Sequence, residues 1–451
     1  MIFSSIFFVY FFLPCAGILF SITPKKARKF VLLLISCVYL LFSGTFALLI
    51  VFAFGIVNYI MLLLIYYLKK YRIMQSIVLF AAISTDIAFV AFARYHVFFG
   101  DFFRGGLAFL GASFCALNGI GTAIDVYNGD AVSINIVNYL LYILYFPKLL
   151  FGPFVAYDEF NSSLVESEYG LHIIGDGMIM FVKGLSRKVI VADSIFRLCS
   201  AVRSTETSKL SAISAWLGVI GFALYLYFTL LGIMEMASGI SLLFGIRLPE
   251  SFDYPLCCVG INEFCGRWHV TLIGWFKKYL CNSIDTNSNV MQSIVQIMMW
   301  CIIGVWYKAD LNHLLWGAIL GTASVFERMY NAKESKTLSS AVYAVLVLSA
   351  AWVILMHDNI RDCMLYLKSM LGVNGIADST GIYLLRYYIV ILLVAAYASC
   401  KLYKNVLERL RKSHRITVIL DIATTIVSVA LLIVCTTFML HNNSNGVVNF
   451  F

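Results

Sequence analysis

The chain alternates long apolar runs with short charged loops, and this pattern constrains its fold more than any other feature. Runs of about 18 or more apolar residues can cross a bilayer core of about 30 Å. Candidates lie near 2–22, 30–44, 46–68, 73–93, 106–124, 133–152, 175–197, 209–231, 233–247, 290–307, 312–327, 339–356, 381–403 and 416–440. Only 13% of the 451 residues are charged and 61% are hydrophobic, which excludes a soluble globular class. We predict an all-α polytopic membrane protein with about ten to twelve crossings.

Short basic loops predict the orientation of these helices. Clusters of Lys and Arg occupy 23–29, 69–72, 183–188 and 401–415. Loops of this kind mark the cytoplasmic side of a membrane, so the N-terminus and the tail at 441–451 are predicted to lie outside. The first apolar run lacks a basic n-region and a clear cleavage site, which indicates a retained helix. Positive residues scattered between spans predict contact with a lipid bilayer and no nucleic-acid partner.

The sequence has no visible repeat or low-complexity linker, so a single membrane domain over 1–451 is predicted. Its 12 cysteines lie mostly within apolar runs, without a C-x-x-C pair or a Cys/His set at metal-ligand spacing. Small buried hydrophobic side chains are the expected role, and a disulfide or metal site is the minor alternative. No metal site is predicted.

One stretch differs in kind from the spans, namely "INEFCGRWHVTLIGWFKKYL" at 261–280. Its aromatic and aliphatic residues recur at spacings of three and four, while Arg267, Lys277 and Lys278 supply charge. This pattern predicts an amphipathic helix in an interfacial or re-entrant position. His269 lies within it, and a lone histidine on such a face is more often structural than catalytic.

Three ionisable residues interrupt apolar runs, namely Glu235, Lys148 and Asp125. Such groups usually face a bundle interior or a water-filled cavity, although those near helix ends can reach the interface instead. The segment "FPKLLFGP" at 146–153 contains two prolines and a glycine, so helical hydrogen bonding must break there. Broken backbone at membrane depth indicates a cavity wall or a tunnel mouth.

The segment "VWYKADLNHLLWG" at 305–317 concentrates polar residues between two apolar runs. On a continuous helix, six residue steps would turn the side chains of Tyr307 and His313 about 120° apart. A Tyr–His pair therefore needs a helix break between them, and "KADLN" is polar enough to provide one. A plain interhelical loop at the membrane edge is the alternative.

Six segments, taken in order, carry a family resemblance. They are "IDVYNGD" (124–130), "FPKLLFGPFVAYDEF" (146–160), "FVKGLSRKVIVAD" (181–193), "LYFTLLGIMEMASGISLLFGIRLPESFDYP" (226–255), "INEFCGRWHVTLIGWFKKYL" (261–280) and "IIGVWYKADLNHLLWGAILG" (302–321). The chain resembles the membrane-bound O-acyltransferase (MBOAT) superfamily, in the bacterial branch of the alginate O-acetyltransferase membrane subunit and the teichoic-acid D-alanyl transfer protein. The resemblance is strongest over 1–327, and 328–451 is expected to add C-terminal transmembrane helices.

The resemblance implies a helical bundle around a tunnel in a bacterial cytoplasmic membrane. In this family an acyl group, here expected to be acetyl, passes from a cytoplasmic donor to hydroxyls of a polysaccharide or envelope polymer outside. Acetyl-CoA or an acyl-carrier protein is the expected donor, with no bound cofactor. A secreted acyltransferase is an alternative partner on the outer side.

The resemblance also implies the site residues, and here the sequence departs from the family pattern. Tyr307 stands at the family's catalytic histidine, Lys308 at the glycine after it and Leu320 at the second histidine. His269 matches the supporting R-W-H motif. Catalytic roles are expected for Tyr307, His313 and His269. Tunnel or substrate-lining roles are expected for Trp306, Lys308, Asp310, Glu235, Asn118, Trp268 and Arg267; polar family residues are also replaced at Thr229 and Leu231.

A tyrosine is a poor replacement for a histidine base. An ordinary phenol has a pKa of about 10, so about one in a thousand is ionised at pH 7. His313 and His269 are the nearby residues that could take over proton transfer. Three hypotheses follow: an O-acyltransferase with a rearranged site, an inactive homologue that serves as a binding or assembly subunit, and an unrelated transporter. The third rests only on the intramembrane charges.

Overall fold

The computed structural model consists of helices joined by short turns. It describes residues 2–95, 106–130, 134–149, 152–165, 169–281, 288–330, 338–401, 406, 409–410 and 414–441. No β-strand occurs in these ranges. The predicted outer tail and most of the basic stretch 401–415 lie outside the described residues.

Nineteen α-helices follow in chain order within the described ranges. The first ten are α1 (Leu13–Ile22), α2 (Arg28–Leu41), α3 (Thr45–Tyr67), α4 (Arg72–Tyr95), α5 (Gly106–Asn128), α6 (Ile136–Leu144), α7 (Phe146–Leu149), α8 (Tyr157–Val165), α9 (Leu171–Ser186) and α10 (Asp193–Arg203). The others are α11 (Ala212–Leu243), α12 (Ile261–Arg267), α13 (Val270–Phe276), α14 (Asn289–Tyr307), α15 (Leu311–Tyr330), α16 (Leu338–Met356), α17 (Ile360–Met370), α18 (Ser379–Ala398) and α19 (His414–His441). Wider π-helical turns occupy Phe8–Phe12, Arg187–Ala192 and Lys277–Cys281.

Seven helices among the described residues are long and apolar enough to cross a membrane. They cover Thr45–Lys70, Arg72–Ala93, Ala212–Leu243, Asn289–Tyr307, Leu338–Met356, Ser379–Ala398 and Ile416–His441. The chain is therefore an all-α, multi-pass membrane protein, as predicted. The larger count of ten to twelve crossings stays a prediction. One prediction was wrong: the runs 209–231 and 233–247 form the single 32-residue helix α11, because neither a proline nor a charged loop separates them.

The chain divides into two compact units, and each is described by itself. The first unit comprises Met1–Leu185, Ile233–Glu250 and Met439–His441. The second includes Ser186–Gly232 and Ser251–Phe438. The expectation of a single membrane domain stays a prediction.

In the first unit, polar side chains meet where α3, α4 and α5 pack together. Asn58 donates a hydrogen bond of 2.8 Å to buried Asp86. Gly119 makes this approach possible, because a Cβ there would lie 2.6 Å from the second carboxylate oxygen of Asp86. The preceding residue, Asn118, accepts a 3.0 Å hydrogen bond from the phenol of Tyr142. These helices thus bury a polar cluster in an apolar unit.

The charged residues near the predicted chain break are also interior. Lys148 is 3% exposed, and its ammonium nitrogen lies 3.7 Å from the centre of the Tyr142 ring. This contact is a cation–π interaction in a low-dielectric setting. Asp125 is 5% exposed. The sequence left two alternatives open for Lys148 and Asp125, a position inside the bundle or one at the membrane interface. The position inside the bundle is correct for both residues. The predicted break in helical structure is confirmed, because α6 ends at Leu144 and the short α7 follows.

In the second unit, α14 and α15 form an antiparallel hairpin with unusually close backbones. A Cβ added to Gly304 would overlap the carbonyl oxygen of His313, and one added to Gly317 would overlap that of Trp300. Only glycine lets the two helix backbones touch in this way. The polar turn after Tyr307 breaks the helix, as predicted, and α15 begins at Leu311.

The predicted single helix over 261–280 is wrong. It breaks into α12 and α13 at Trp268 and His269, where His269 takes the left-handed backbone conformation (φ 42°, ψ 54°). This conformation costs about 1 kcal/mol or more for a residue with a side chain, so tertiary contacts must stabilise it. The backbone N–H of Val270 supplies one such contact by donating to the carbonyl of Ser251 at 2.6 Å.

The close contact between α14 and α15 predicts a strong effect of a single methyl group. Gly317→Ala should destabilise the protein by about 1–3 kcal/mol, because its Cβ has no room against the Trp300 backbone. Thermal unfolding of detergent-solubilised protein measures the effect. Gly274→Ala is the matched control, since a Cβ at this α13 position meets nothing within 4 Å. Equal melting temperatures for the two variants would contradict the packing.

Candidate functional site

Tyr307 and His269 meet in the second unit. The phenol oxygen of Tyr307 lies 2.7 Å from Nδ1 of His269. Tyr307 is 7% exposed and His269 is fully buried. Tyr307 is the last residue of α14, and the break between α12 and α13 directs His269 toward it. Two predicted site residues, 38 positions apart in the sequence, therefore form a buried hydrogen-bonded pair.

Apolar neighbours surround the imidazole of His269. Phe252 stacks on it with ring centroids 5.7 Å apart and planes 15° apart. Burial lowers the pKa of His269 to about 3, because the charged form loses its hydration. The imidazole is therefore neutral at pH 7, and Nδ1 accepts the hydrogen bond when the phenol donates it.

His313 has a different environment, next to a carboxylate. Its Nδ1 lies 2.6 Å from Oδ1 of Asp310, and the same oxygen accepts the backbone N–H of His313 at 2.8 Å. Partial burial raises the pKa of Asp310, but its hydrogen bonds with His313 and the Lys308 ammonium outweigh this and lower the pKa overall. The carboxylate therefore stays ionised and fixes the orientation of the imidazole.

One member of each pair borders a small cavity. Trp268, Tyr307, His313 and Trp316 line it together with three leucines, Leu226, Leu230 and Leu355. The cavity has a volume of about 20 Å³, which is room for one water molecule. The phenol of Tyr307 and the imidazole of His313 thus border a mostly apolar space, and His269 is bonded to that phenol.

The remaining predicted site residues fall into two groups. In the second unit, Lys308 lies 3.3 Å from Asp310, and Arg267 forms an ion pair with Glu263 in α12 at 2.5 Å. Trp306 packs its ring 6.4 Å from that of His269. Asn118 and Glu235 belong to the first unit. Glu235 lies there 3.0 Å from the ammonium of Lys183.

The sequence analysis missed a larger polar cavity in the second unit. It measures about 750 Å³ and is lined by Trp300 and, among polar residues, by Asn262, Lys277, Gln292, Gln296, Ser324 and Arg328. Gln296 donates to Ser324 at 2.5 Å, and Ser324 donates to Asn262 at 2.7 Å. Two cationic side chains therefore border an ordered set of amides and hydroxyls.

A local signal could have revealed this cavity. Gln292 and Gln296 are four residues apart in an apolar helix, and so are Ser324 and Arg328. Polar pairs at this spacing share one face, and within a membrane they mark a helix side turned away from lipid. Trp300 separates the polar cavity from the small one, since its ring lies 6.0 Å from that of Trp316.

Comparison with known proteins finds similarity to acyltransferases that modify envelope polymers. No protein-family model matches it. It is 28% identical over 388 residues to a probable alginate O-acetylase of Azotobacter vinelandii, covering 80% of this chain and 76% of that protein. It is 31% identical over 253 residues to the peptidoglycan O-acetyltransferase of Helicobacter pylori, covering 53% and 48%. It is 25% identical over 246 residues to the teichoic acid D-alanyltransferase of Bacillus subtilis, covering 50% and 61%.

Fold and site together define a polytopic membrane protein with a buried Tyr–His pair and an Asp–His pair on one cavity. The proteins just named are its homologues, and they are members of the membrane-bound O-acyltransferase family. The sequence resemblance to this family is therefore confirmed. That Tyr307 stands at the family's histidine position stays a prediction.

The buried imidazole of His269 predicts loss of stability in acid. Its pKa is about 3 in the folded protein and about 6.5 in an unfolded chain, so between these values only the unfolded chain binds the proton. The free energy of unfolding should therefore decrease as pH falls below about 6.5, by about 2 kcal/mol at pH 5. Thermal unfolding from pH 7.5 to pH 5 measures this dependence.

Two variants separate His269 from the other titrating groups. His269→Gln should flatten the dependence of melting temperature on pH, whereas His172→Gln, at an exposed position in α9, should leave it unchanged. An equally steep dependence in His269→Gln would show that another group is responsible.

Proposed function

We propose that the chain is a membrane O-acyltransferase that transfers acetyl groups to hydroxyls of an extracytoplasmic polysaccharide or envelope polymer. The homologues carry transferase names for alginate, peptidoglycan and teichoic acid, which favours a working enzyme over an inactive assembly subunit. The observation that carries the proposal is the Asp310–His313 pair on the same cavity as Tyr307. We place the protein in a bacterial cytoplasmic membrane.

His313 is the general base in this proposal. When Nδ1–H donates to Asp310, Nε2 is the basic nitrogen of the ring. It takes the proton of the acceptor hydroxyl as the hydroxyl oxygen attacks the acyl carbonyl carbon. Asp310 holds the ring in place and stabilises the imidazolium that forms. The relocation of the base from position 307 to position 313 is possible because the helix is broken between them.

The small cavity also favours a small acyl group. A space with room for about one water accommodates an acetyl group with minor shifts of its leucine side chains, whereas a long acyl chain needs a channel. Acetyl is accordingly the proposed group.

The polar cavity is the proposed entry for the donor. Lys277 and Arg328 border it, and positive residues mark the cytoplasmic side of a membrane protein. Acetyl-CoA and acyl-carrier proteins present phosphate groups, which such cations bind, and a thioester at the end of a long flexible arm. From Gln296 to Tyr307 the distance along α14 is about 16 Å, so an extended arm is needed to deliver the acyl group.

Replacement of the proposed base is the direct test of function. His313→Ala should lower kcat for acetyl transfer by about 10²- to 10⁴-fold, and Asp310→Asn should lower it in the same direction. Membranes containing the protein are supplied with [¹⁴C]acetyl-CoA or [¹⁴C]acetyl-acyl-carrier protein and with alginate or peptidoglycan fragments. Label in the polymer is then counted.

An exposed Asp–His pair provides the matched control. His172 lies 3.3 Å from Asp176 in α9, and His172→Ala should retain wild-type transfer. Wild-type transfer in His313→Ala would overturn the role of this base. Absence of transfer in the wild-type protein with both donors and both acceptors would overturn the proposed activity.

The donor route has its own test. Lys277→Gln should raise KM for the donor about threefold to tenfold with little change in kcat, because an exposed cation contributes binding and not chemistry. Lys278→Gln is the control, since this neighbouring lysine contacts Tyr279 and does not line the cavity. Equal KM values for the two variants would place the donor elsewhere.

A further inference from the structure

Tyr307 occupies a position that suits attack on a carbonyl better than proton transfer. An unassisted phenol is a weak base, as its ordinary pKa indicates, but a phenol beside a neutral imidazole can act as a nucleophile. A nucleophile and its base are recognised by a hydrogen bond of about 2.6–3.2 Å between them. The 2.7 Å contact between the Tyr307 phenol oxygen and His269 Nδ1 meets this criterion.

We propose that Tyr307 carries the acyl group between donor and acceptor as an ester on its phenol oxygen. The inference rests on the acyl transfer proposed above and adds a covalent intermediate to it. Tyr307 lies on the cavity wall that it shares with His313, so both halves of the reaction use the same space.

The first half-reaction loads the tyrosine. The phenol oxygen attacks the thioester carbonyl carbon, and the carbon–sulfur bond breaks. The phenolic proton passes through His269 Nδ1 to the departing sulfur in the same step, because the buried imidazole does not stay charged. The products are a free thiol, a neutral imidazole and the O-acetyl ester of Tyr307. No oxidant or further reactant is needed.

The second half-reaction transfers the acetyl group from Tyr307 to the acceptor. The acceptor hydroxyl oxygen attacks the ester carbonyl carbon while His313 takes its proton, and the bond from that carbon to the phenol oxygen breaks. The phenolate of Tyr307 then regains a proton from the His313 imidazolium. A phenolate leaves more readily than an alkoxide, because an ordinary phenol has a pKa of about 10. The aryl ester therefore retains enough acyl-transfer potential to acetylate a sugar hydroxyl.

The environments of His269 and His313 suit one proton transfer each. His269 is neutral among apolar side chains and bonds directly to the nucleophile. His313 is held by the carboxylate of Asp310. Two imidazoles in contrasting surroundings, one bonded to Tyr307 and one lining the cavity beside it, are what two consecutive proton transfers require. A direct transfer of the acetyl group from donor to acceptor would need only one of the two histidines.

Trapping the intermediate tests the inference in the full-length protein. Proteoliposomes containing the wild-type chain are incubated with [¹⁴C]acetyl-CoA or [¹⁴C]acetyl-acyl-carrier protein without an acceptor, quenched in acid and digested. Mass spectrometry should find one acetyl group on Tyr307, and addition of polymer fragments before the quench should discharge it. His313→Gln should accumulate the acetyl-tyrosine and transfer it at least about 100-fold more slowly.

Paired tyrosine variants complete the test. Tyr307→Phe should remove the label and lower polymer acetylation at least about 100-fold. Tyr343→Phe is the control. It removes one phenol of α16, which donates to the Ala323 carbonyl of α15, and should keep both signals. Polymer acetylation by the wild-type chain without acetyl on Tyr307 would overturn the intermediate and leave the proposed function standing. Absence of polymer acetylation with either donor would overturn both.

Discussion

Gly304 and Gly317 let the backbones of α14 and α15 touch, and the positions of Tyr307 and His313 depend on this contact. Two helices this close leave space for a turn of only a few residues, and Lys308 to Asp310 provide it. The turn releases His313 from the helical register that would have directed it away from Tyr307. A larger residue at either glycine would separate the helices and alter the cavity wall.

The left-handed backbone at His269 supplies the second half of the site. This left-handed conformation costs free energy. The local sequence does not reduce the cost, because neither a glycine nor an asparagine occupies the position. The hydrogen bond to Tyr307 and the stacking on Phe252 are made only in this conformation. Local strain at a buried polar contact is a common property of catalytic centres, since the surrounding packing holds a geometry that the isolated segment would leave.

The sequence predicted the helical membrane fold and the break after Tyr307 because both follow from local properties. Span length, apolar content and the polar "KADLN" segment can be read within windows of about 20 residues. It did not predict the break at His269, the continuity of α11 or the polar cavity around Gln296. These depend on contacts between distant segments, such as Val270 with Ser251, and no periodicity within one segment records them.

The contrast between the two histidines supports the proposed transfer chemistry at a site with a tyrosine at position 307. A single imidazole that serves both half-reactions must fit two electrostatic environments in turn. Here the apolar surroundings of His269 keep one imidazole neutral beside Tyr307, while Asp310 stabilises positive charge on the other. In the proposed mechanism, a tyrosine at position 307 therefore acts as a nucleophile between two histidine bases. Such a site changes the order of bond making and still contains every group that the proposed reaction requires.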